Sequence, residues 1–252
     1  MKIFFLCSMP RAGNTVLGSM INQNKKIKLS PNSIMLDVIY SLHKLKEKPI
    51  FQNFPNHNSL HNLMKCSFDA YYKDWGADII IDRGPWGTPN NLKISKYLIK
   101  QPKFIILYRP VKECLASFAK ILTEDERVNN VDEYLVDLLN KDTGFIGKAL
   151  WSINNLIKNK ENYKIFHYKD LVNNPDLFLK NLSEYVECDI KCDLKKLEQF
   201  NINNVYYDDS KTIKNLHKIK TNFENFKTEK VENYLTNDMI KYVERFEIDD
   251  LN

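Results

Sequence analysis

Residues 8–15 read SMPRAGNT and follow the short apolar run KIFFLC. A strand that ends in a tight loop and then enters a helix gathers several backbone N–H groups around one point. The partial positive charge of the helix start adds to them, so such a loop binds a phosphate-like anion with little help from side chains. Gly13 permits close approach of the backbone, Thr15 brings a hydroxyl to the helix start, and Arg11 supplies a full charge. With Ala12 and Asn14, these residues form the first candidate anion cradle. A nucleotide hydrolase would show GxxxxGK followed by Ser or Thr. Here Ser8 stands where the first glycine would be, and Asn14 replaces the lysine that reaches the β- and γ-phosphates. That departure argues against ATP or GTP as a phosphoryl donor.

A second candidate anion site lies about a hundred residues later, in FIILYRPVKECLASFAK (residues 104–120). Arg109 ends an apolar run, and Ser117 sits eight residues on, two turns into the next helical pattern. A strand-end arginine faces the ligand crevice at the carboxyl edge of a parallel sheet.

The elements that must position these residues follow from hydropathy. Ile3–Cys7, Ile79–Ile81, Phe104–Tyr108 and Lys164–His167 are short apolar runs bounded by polar or turn residues, which fits buried parallel strands. Helical spacing marks TVLGSMINQ, SIMLDVIYSLHKLKEK, HNLMKCSFDAYYKDW, NNLKISKYLI, VKECLASFAKIL, DTGFIGKALWSINNLIKN, NPDLFLKNLSEYV and the tail EKVENYLTNDMIKYVERFE. Strand followed by helix, repeated, predicts a single-domain α/β fold over residues 1–252. Its central parallel sheet would be flanked by helices in a P-loop NTPase-like, three-layer architecture.

Composition narrows the function classes. A net charge of +5, spread along the chain, suits an anionic small ligand and lacks the clustered basic face of a nucleic-acid binder. The five cysteines are odd in number, contain no CxxC pair and have no companion histidines in metal spacing, which predicts reduced thiols and no bound metal. The absence of a run of about 18 apolar residues excludes a helical membrane span, and the first apolar run is too short for a signal peptide. A soluble, cytoplasmic protein is expected.

Taken together, PRAGNT and YRPVKECLAS resemble the two nucleotide signatures of the sulfotransferases that use 3′-phosphoadenosine 5′-phosphosulfate (PAPS). KIFHYKDLVNNPDLFLKNLSEYV, with Tyr168, Asp170, Leu171 and Pro175, resembles a third family stretch. NLHKIKTNF (residues 215–223) resembles the late basic segment that closes over the nucleotide. The resemblance implies that the residue 11–15 loop holds the 5′-phosphosulfate, that Arg109 and Ser117 hold the 3′-phosphate, and that Lys218 and Lys220 close the site. It implies PAPS as sulfuryl donor, 3′,5′-adenosine bisphosphate as product, and catalysis without a metal. Arg11 is then the cation that neutralises the leaving phosphate.

The base that takes the acceptor's proton is the least marked part. Relatives place a Glu after the second strand or a His after the third. The matching stretches here, KLSPNSIMLDV and IIDRGPWGT, offer Asp37 and Asp82 instead, with Asp82 preferred. His43, His57 and His61 lie in the expected acceptor region. Trp86 reads equally as a ligand-facing ring, stacking on adenine or lining the acceptor pocket, and as a packed turn anchor. The acceptor region, about residues 30–75 and 120–150, is rich in Asn, Lys, His and Tyr, which fits a small hydroxylated metabolite or a carbohydrate. A small-molecule kinase of the P-loop type and a non-catalytic adenosine-bisphosphate-binding module are the competing expectations; the oligomeric state is left open.

Overall fold

The computed structural model describes residues 1–125, 128–208, 216–219, 222–223, 228, 230–248 and 251. In chain order, the first half contains β1 (Lys2–Ser8), α1 (Asn14–Asn22), β2 (Ile27–Leu29), α2 (Met35–Lys44), α3 (Pro49–Asn53), α4 (His57–Tyr72), β3 (Ile79–Arg83) and α5 (Pro89–Leu98). The second half contains β4 (Phe104–Tyr108), α6 (Val111–Leu122), α7 (Val131–Leu138), α8 (Phe145–Lys158), β5 (Tyr163–His167), α9 (Tyr168–Asn173), α10 (Pro175–Val186), β6 (Asn201–Ile202), β7 (Val205–Tyr206) and α11 (Asn237–Glu244).

Strands β1 to β5 form one sheet in the order β2-β3-β1-β4-β5, and every pairing is parallel. The expected α/β arrangement, a central parallel sheet flanked by helices, is therefore present. β1 and β4 are almost wholly apolar and buried because helices cover both of their faces. Phe4, Phe5, Leu6, Phe104, Ile106 and Leu107 are fully buried and form the middle of the core.

The order matters for function. From β1 the chain moves to one side of the sheet to build β2 and β3, then crosses to the other side for β4 and β5. The gap between β1 and β4 is the switch point, where connecting loops diverge and leave a crevice at the carboxyl edge. Arg11 follows β1 and Arg109 follows β4, so the topology sets both cations at this crevice.

Two elements differ from expectation. β2, only three residues long, was not among the predicted strands; it pairs with β3 from Ile27 opposite Ile79 to Leu29 opposite Ile81. The long closing helix is shorter: a 3-10 turn spans Val231–Asn233, and α11 begins only at Asn237. The Thr236 side chain accepts a hydrogen bond from the Met239 N–H, which makes it the N-cap and starts a new helix there. Among the described residues no helix is long and apolar enough to cross a membrane.

Candidate functional site

The loop between β1 and α1 is built from unusual backbone. Arg11 has φ 63° and Gly13 has φ 84°. Gly13 adopts the left-handed region readily, whereas an L-residue such as Arg11 does so at a cost of about 1–2 kcal/mol. The loop is held against that cost. Arg109 donates from a terminal guanidinium nitrogen to the Arg11 carbonyl at 2.7 Å, and Asn14 donates from Nδ2 to the Met9 carbonyl at 2.9 Å. A Cβ on Gly13 would come within 3.0 Å of Leu171 and 3.2 Å of Tyr168, so α9 backs the loop directly.

Gly13 is also the N-cap of α1, and no side chain caps the helix start. The first-turn N–H groups have no intrahelical carbonyl to meet and remain available to an anion. Ala12 is fully buried and Thr15 is partly exposed at the crevice.

Arg11 reaches out of the loop and donates from Nε to the Ser117 hydroxyl at 3.1 Å, across 106 positions of sequence. It also donates to the Leu216 carbonyl. Arg11, Arg109 and Ser117 thus form one connected group. Arg109 itself is 4% exposed, and its guanidinium is engaged on several sides. Its Nε pairs with Glu113 at 3.1 Å, and its plane lies 4.2 Å from the centre of the Tyr168 ring. The structure makes Arg109 a brace of the loop as well as a cation. Tyr168 and Leu171, which the sequence offered only as part of a resembling stretch, turn out to be the loop's backing.

Asp82 and Trp86 sit elsewhere than a role against a ligand requires. Both are fully buried. Asp82 accepts from Ser33 Oγ at 2.7 Å, from Trp86 Nε1 at 2.8 Å and from the Tyr72 hydroxyl. Burial pushes its carboxyl up to about 6, against the lowering effect of those three donors. Trp86 packs against Phe5 with ring centres 4.4 Å apart and against Phe68 at 5.9 Å, so its faces belong to the core. The turn-anchor expectation describes it, and the ligand-facing one does not. Asp82 closes a buried polar knot that ties the loop after β2 to the end of β3.

Asp37 is exposed in the first turn of α2. His43 faces Lys46, His57 packs edge-on to Phe51 and His61 edge-on to Tyr97, all among α2 to α5. None of these three makes a described contact with the residue 11–15 loop. Lys218 is exposed in the segment that crosses the loop, while Lys220 lies outside the described residues.

Arg83, at the end of β3, stands beside Asp82 in the stretch IIDRGPWGT, and sequence reasoning gave it no role. Its guanidinium donates to the Pro31 carbonyl at 2.7 Å. Burial draws it down to about 10; the Tyr207 hydroxyl opposes that shift, and the nearby Arg11 charge adds to it. Arg83 lines a cavity of about 20 Å³ together with Thr15, Pro31, Gln199, Tyr207 and His217. A wider open groove of about 590 Å³ runs along α10, lined by Lys180, Glu184, Cys188 and Cys192 among others. It shares no lining residue with the anion loop, so the smaller cavity is the one tied to the chemistry.

A family profile described as "Sulfotransferase domain" matches residues 2–247. The chain belongs to the sulfotransferase family. A search of curated proteins finds no match. Among solved structures, this sulfotransferase resembles the sulfotransferase domain from the Synechococcus PCC 7002 olefin synthase, with TM-score 0.54, 19% identity, and 97% and 94% of the two chains covered. It also resembles mouse sulfotransferase SULT7A1 complexed with PAP, with TM-score 0.56, 15% identity, and coverage of 97% of this chain and 81% of that one. The sulfotransferase domain from the curacin biosynthetic pathway matches with TM-score 0.54 and 16% identity, over 79% and 78% of the chains. Identities this low show a shared fold.

Proposed function

We propose that this sulfotransferase takes its sulfuryl group from PAPS and passes it to a hydroxyl or amine of a small-molecule or carbohydrate acceptor, by in-line displacement at sulfur. The observation that supports this reading is the Arg11–Ser117 hydrogen bond, which brings together residues 106 positions apart from the two stretches expected to hold anions. A donor with phosphate groups at both the 3′ and 5′ positions of one ribose needs such a double site; ATP does not.

The donor set fits the ligand. When bound, PAPS supplies an activated sulfonate whose leaving group is a phosphate. The uncapped first-turn N–H groups at Gly13, Asn14 and Thr15 would bind that 5′-phosphate, and Arg11 would offset the charge that grows on the bridging oxygen. Ser117 and Arg109 would flank the 3′-phosphate, with Arg109 also fixing the loop through the Arg11 carbonyl. Lys218, exposed in the crossing segment, would add charge at the rim. Arg11 stays protonated throughout, so it stabilises charge and does not deliver a proton. Asp82, enclosed by three donors, holds the loop after β2 in place.

Equilibrium binding of radiolabelled nucleotide tests the assignment. Ser117→Ala should weaken 3′,5′-adenosine bisphosphate binding about tenfold, the order expected for one hydrogen bond to a charged group, and leave 5′-AMP nearly unchanged. Equal loss for both nucleotides contradicts the 3′-phosphate assignment.

A further inference from the structure

Among the described residues, no carboxylate balances the charge on Arg83 at the end of β3. The half-buried side chain donates once, to the Pro31 carbonyl at 2.7 Å. A guanidinium carries five N–H donors in a planar fork, so most of them are left over. The carboxylate next to it in sequence, Asp82, is spent on Ser33, Tyr72 and Trp86. Successive strand residues also face opposite sides of a sheet. Arg11, a second cation, lies close enough to work against the Arg83 charge. Two neighbouring cations with so little opposing charge are costly to hold unless an anion joins them.

The cavity that Arg83 lines gives such an anion a place. Its volume of about 20 Å³ admits one water-sized group, the size of the tip of a ligand. Asn14 lines the same cavity, is 5% exposed, and has an Oδ1 that is buried without a hydrogen-bond partner. Its amide nitrogen donates to the Met9 carbonyl at 2.9 Å, which fixes the orientation of the amide. An amide oxygen only accepts, so it calls for an O–H or N–H and disfavours an anion. The walls of the cavity therefore include a cation and an unpaired acceptor.

Position along the sheet says which substrate meets Arg83. At the carboxyl edge the order is Arg83 after β3, Arg11 after β1, and Arg109 with Ser117 after β4. Arg83 stands opposite Leu6 of β1 in the parallel register, on the side away from β4. A nucleotide with its 3′-phosphate at Ser117 occupies the β1–β4 side. In-line displacement sets the entering and leaving atoms on opposite sides of sulfur. The acceptor then enters from the β3 side, where Arg83 stands.

We propose that the acceptor of this sulfotransferase is an anion, a hydroxylated or amino compound that also carries a carboxylate or phosphate, and that Arg83 selects it. This rests on the PAPS reading above. The guanidinium fork suits two oxygens of one carboxylate or phosphate, and the reacting O–H or N–H is a donor that Asn14 Oδ1 can accept. Arg83 sets specificity by touching the acceptor and takes no part in proton transfer.

The test uses two matched pairs of probes: 4-hydroxyphenylacetate against its neutral amide, and glucose 6-phosphate against glucose. The first pair reports a carboxylate and the second a phosphate. Affinity is read from melting titrations of the protein saturated with 3′,5′-adenosine bisphosphate, and kcat/KM from labelled PAPS. Wild type should prefer the charged member of at least one pair by about ten- to a hundredfold, the range for hydrogen bonds to a charged group. Arg83→Gln should bring the two members within about threefold, chiefly by weakening the charged one, and should keep the melting shift caused by the bisphosphate alone. Arg83→Lys should keep part of the preference, because it holds the charge without the fork, and it serves in place of Arg83→Gln if that variant does not fold. The wild-type comparison needs neither variant. The proposal is overturned if wild type treats both members of each pair alike, or if neither charged probe binds. It is equally overturned if the loss in Arg83→Gln is the same for charged and neutral members, as a contact with the donor sulfonate would make it. Failure of the parent reading shows separately, as a wild-type protein whose melting does not respond to the bisphosphate.

Discussion

Arg11 carries two burdens at once: a backbone conformation unfavourable for an L-residue and a side chain that spans the site to Ser117. Sequence pattern revealed the charge but not the strain, because φ is a property of the folded loop. The same limit applies to Gly13. Gly13→Ala would place a methyl group 3.0 Å from Leu171 at φ 84°, and should destabilise the protein by about 1–2 kcal/mol in urea titration while weakening bisphosphate binding. Unchanged stability would show that α9 yields and does not back the loop. Asp82 was visible as a strand-end acid, yet its burial was not, since polar partners at Ser33, Tyr72 and Trp86 converge only in three dimensions. Its proton is held up to about pH 6 in the folded chain, against an ordinary value of 3.8. The unfolded chain releases the proton first, so this contribution to stability is full below about pH 4 and lost as pH rises to about 6. The difference is about 3 kcal/mol, from the free energy equivalent of that rise. Urea titrations from pH 4 to pH 7 should show wild-type stability falling relative to Asp82→Asn by an amount of this order. Parallel curves would mean that the carboxyl is not perturbed.

At the scale of elements, legibility followed apolar patterning. β4 and α6 match their predicted bounds, because FIILY is a continuous apolar run and Pro110 ends it where a helix can start. β2 escaped because it has three residues with a lysine at the centre; Lys28 donates to the Asn22 carbonyl instead of advertising a strand. A further link between elements lies outside any local pattern. Glu247 accepts from the Tyr108 hydroxyl and the Val111 N–H at 2.9 Å each, and from the Lys112 N–H at 3.1 Å. The chain thus caps the helix that carries Ser117 with a carboxylate 136 positions away. Glu247→Ala should lower stability by about 1–2 kcal/mol in urea titration, the range for a lost N-cap. It should weaken bisphosphate binding less than Ser117→Ala does. The reverse ranking would make Glu247 part of the binding group rather than its support.

Across the whole molecule, the site exists because a parallel sheet with its switch point between β1 and β4 delivers two cations to one crevice. That much could be read from two motifs and their order. The segment holding Leu216 was legible only as a resemblance, in the stretch at residues 215–223; that Arg11 holds it through the Leu216 carbonyl was not, since nothing local announces that contact. Thermal melting of the wild-type protein with nucleotide tests the central claim most directly. A 100-fold excess of 3′,5′-adenosine bisphosphate over its Kd stabilises the folded state by about 2.7 kcal/mol, visible as a rise in Tm of a few degrees. ATP with magnesium at the same concentration should leave Tm unchanged. A shift with ATP–magnesium and none with the bisphosphate would contradict the account.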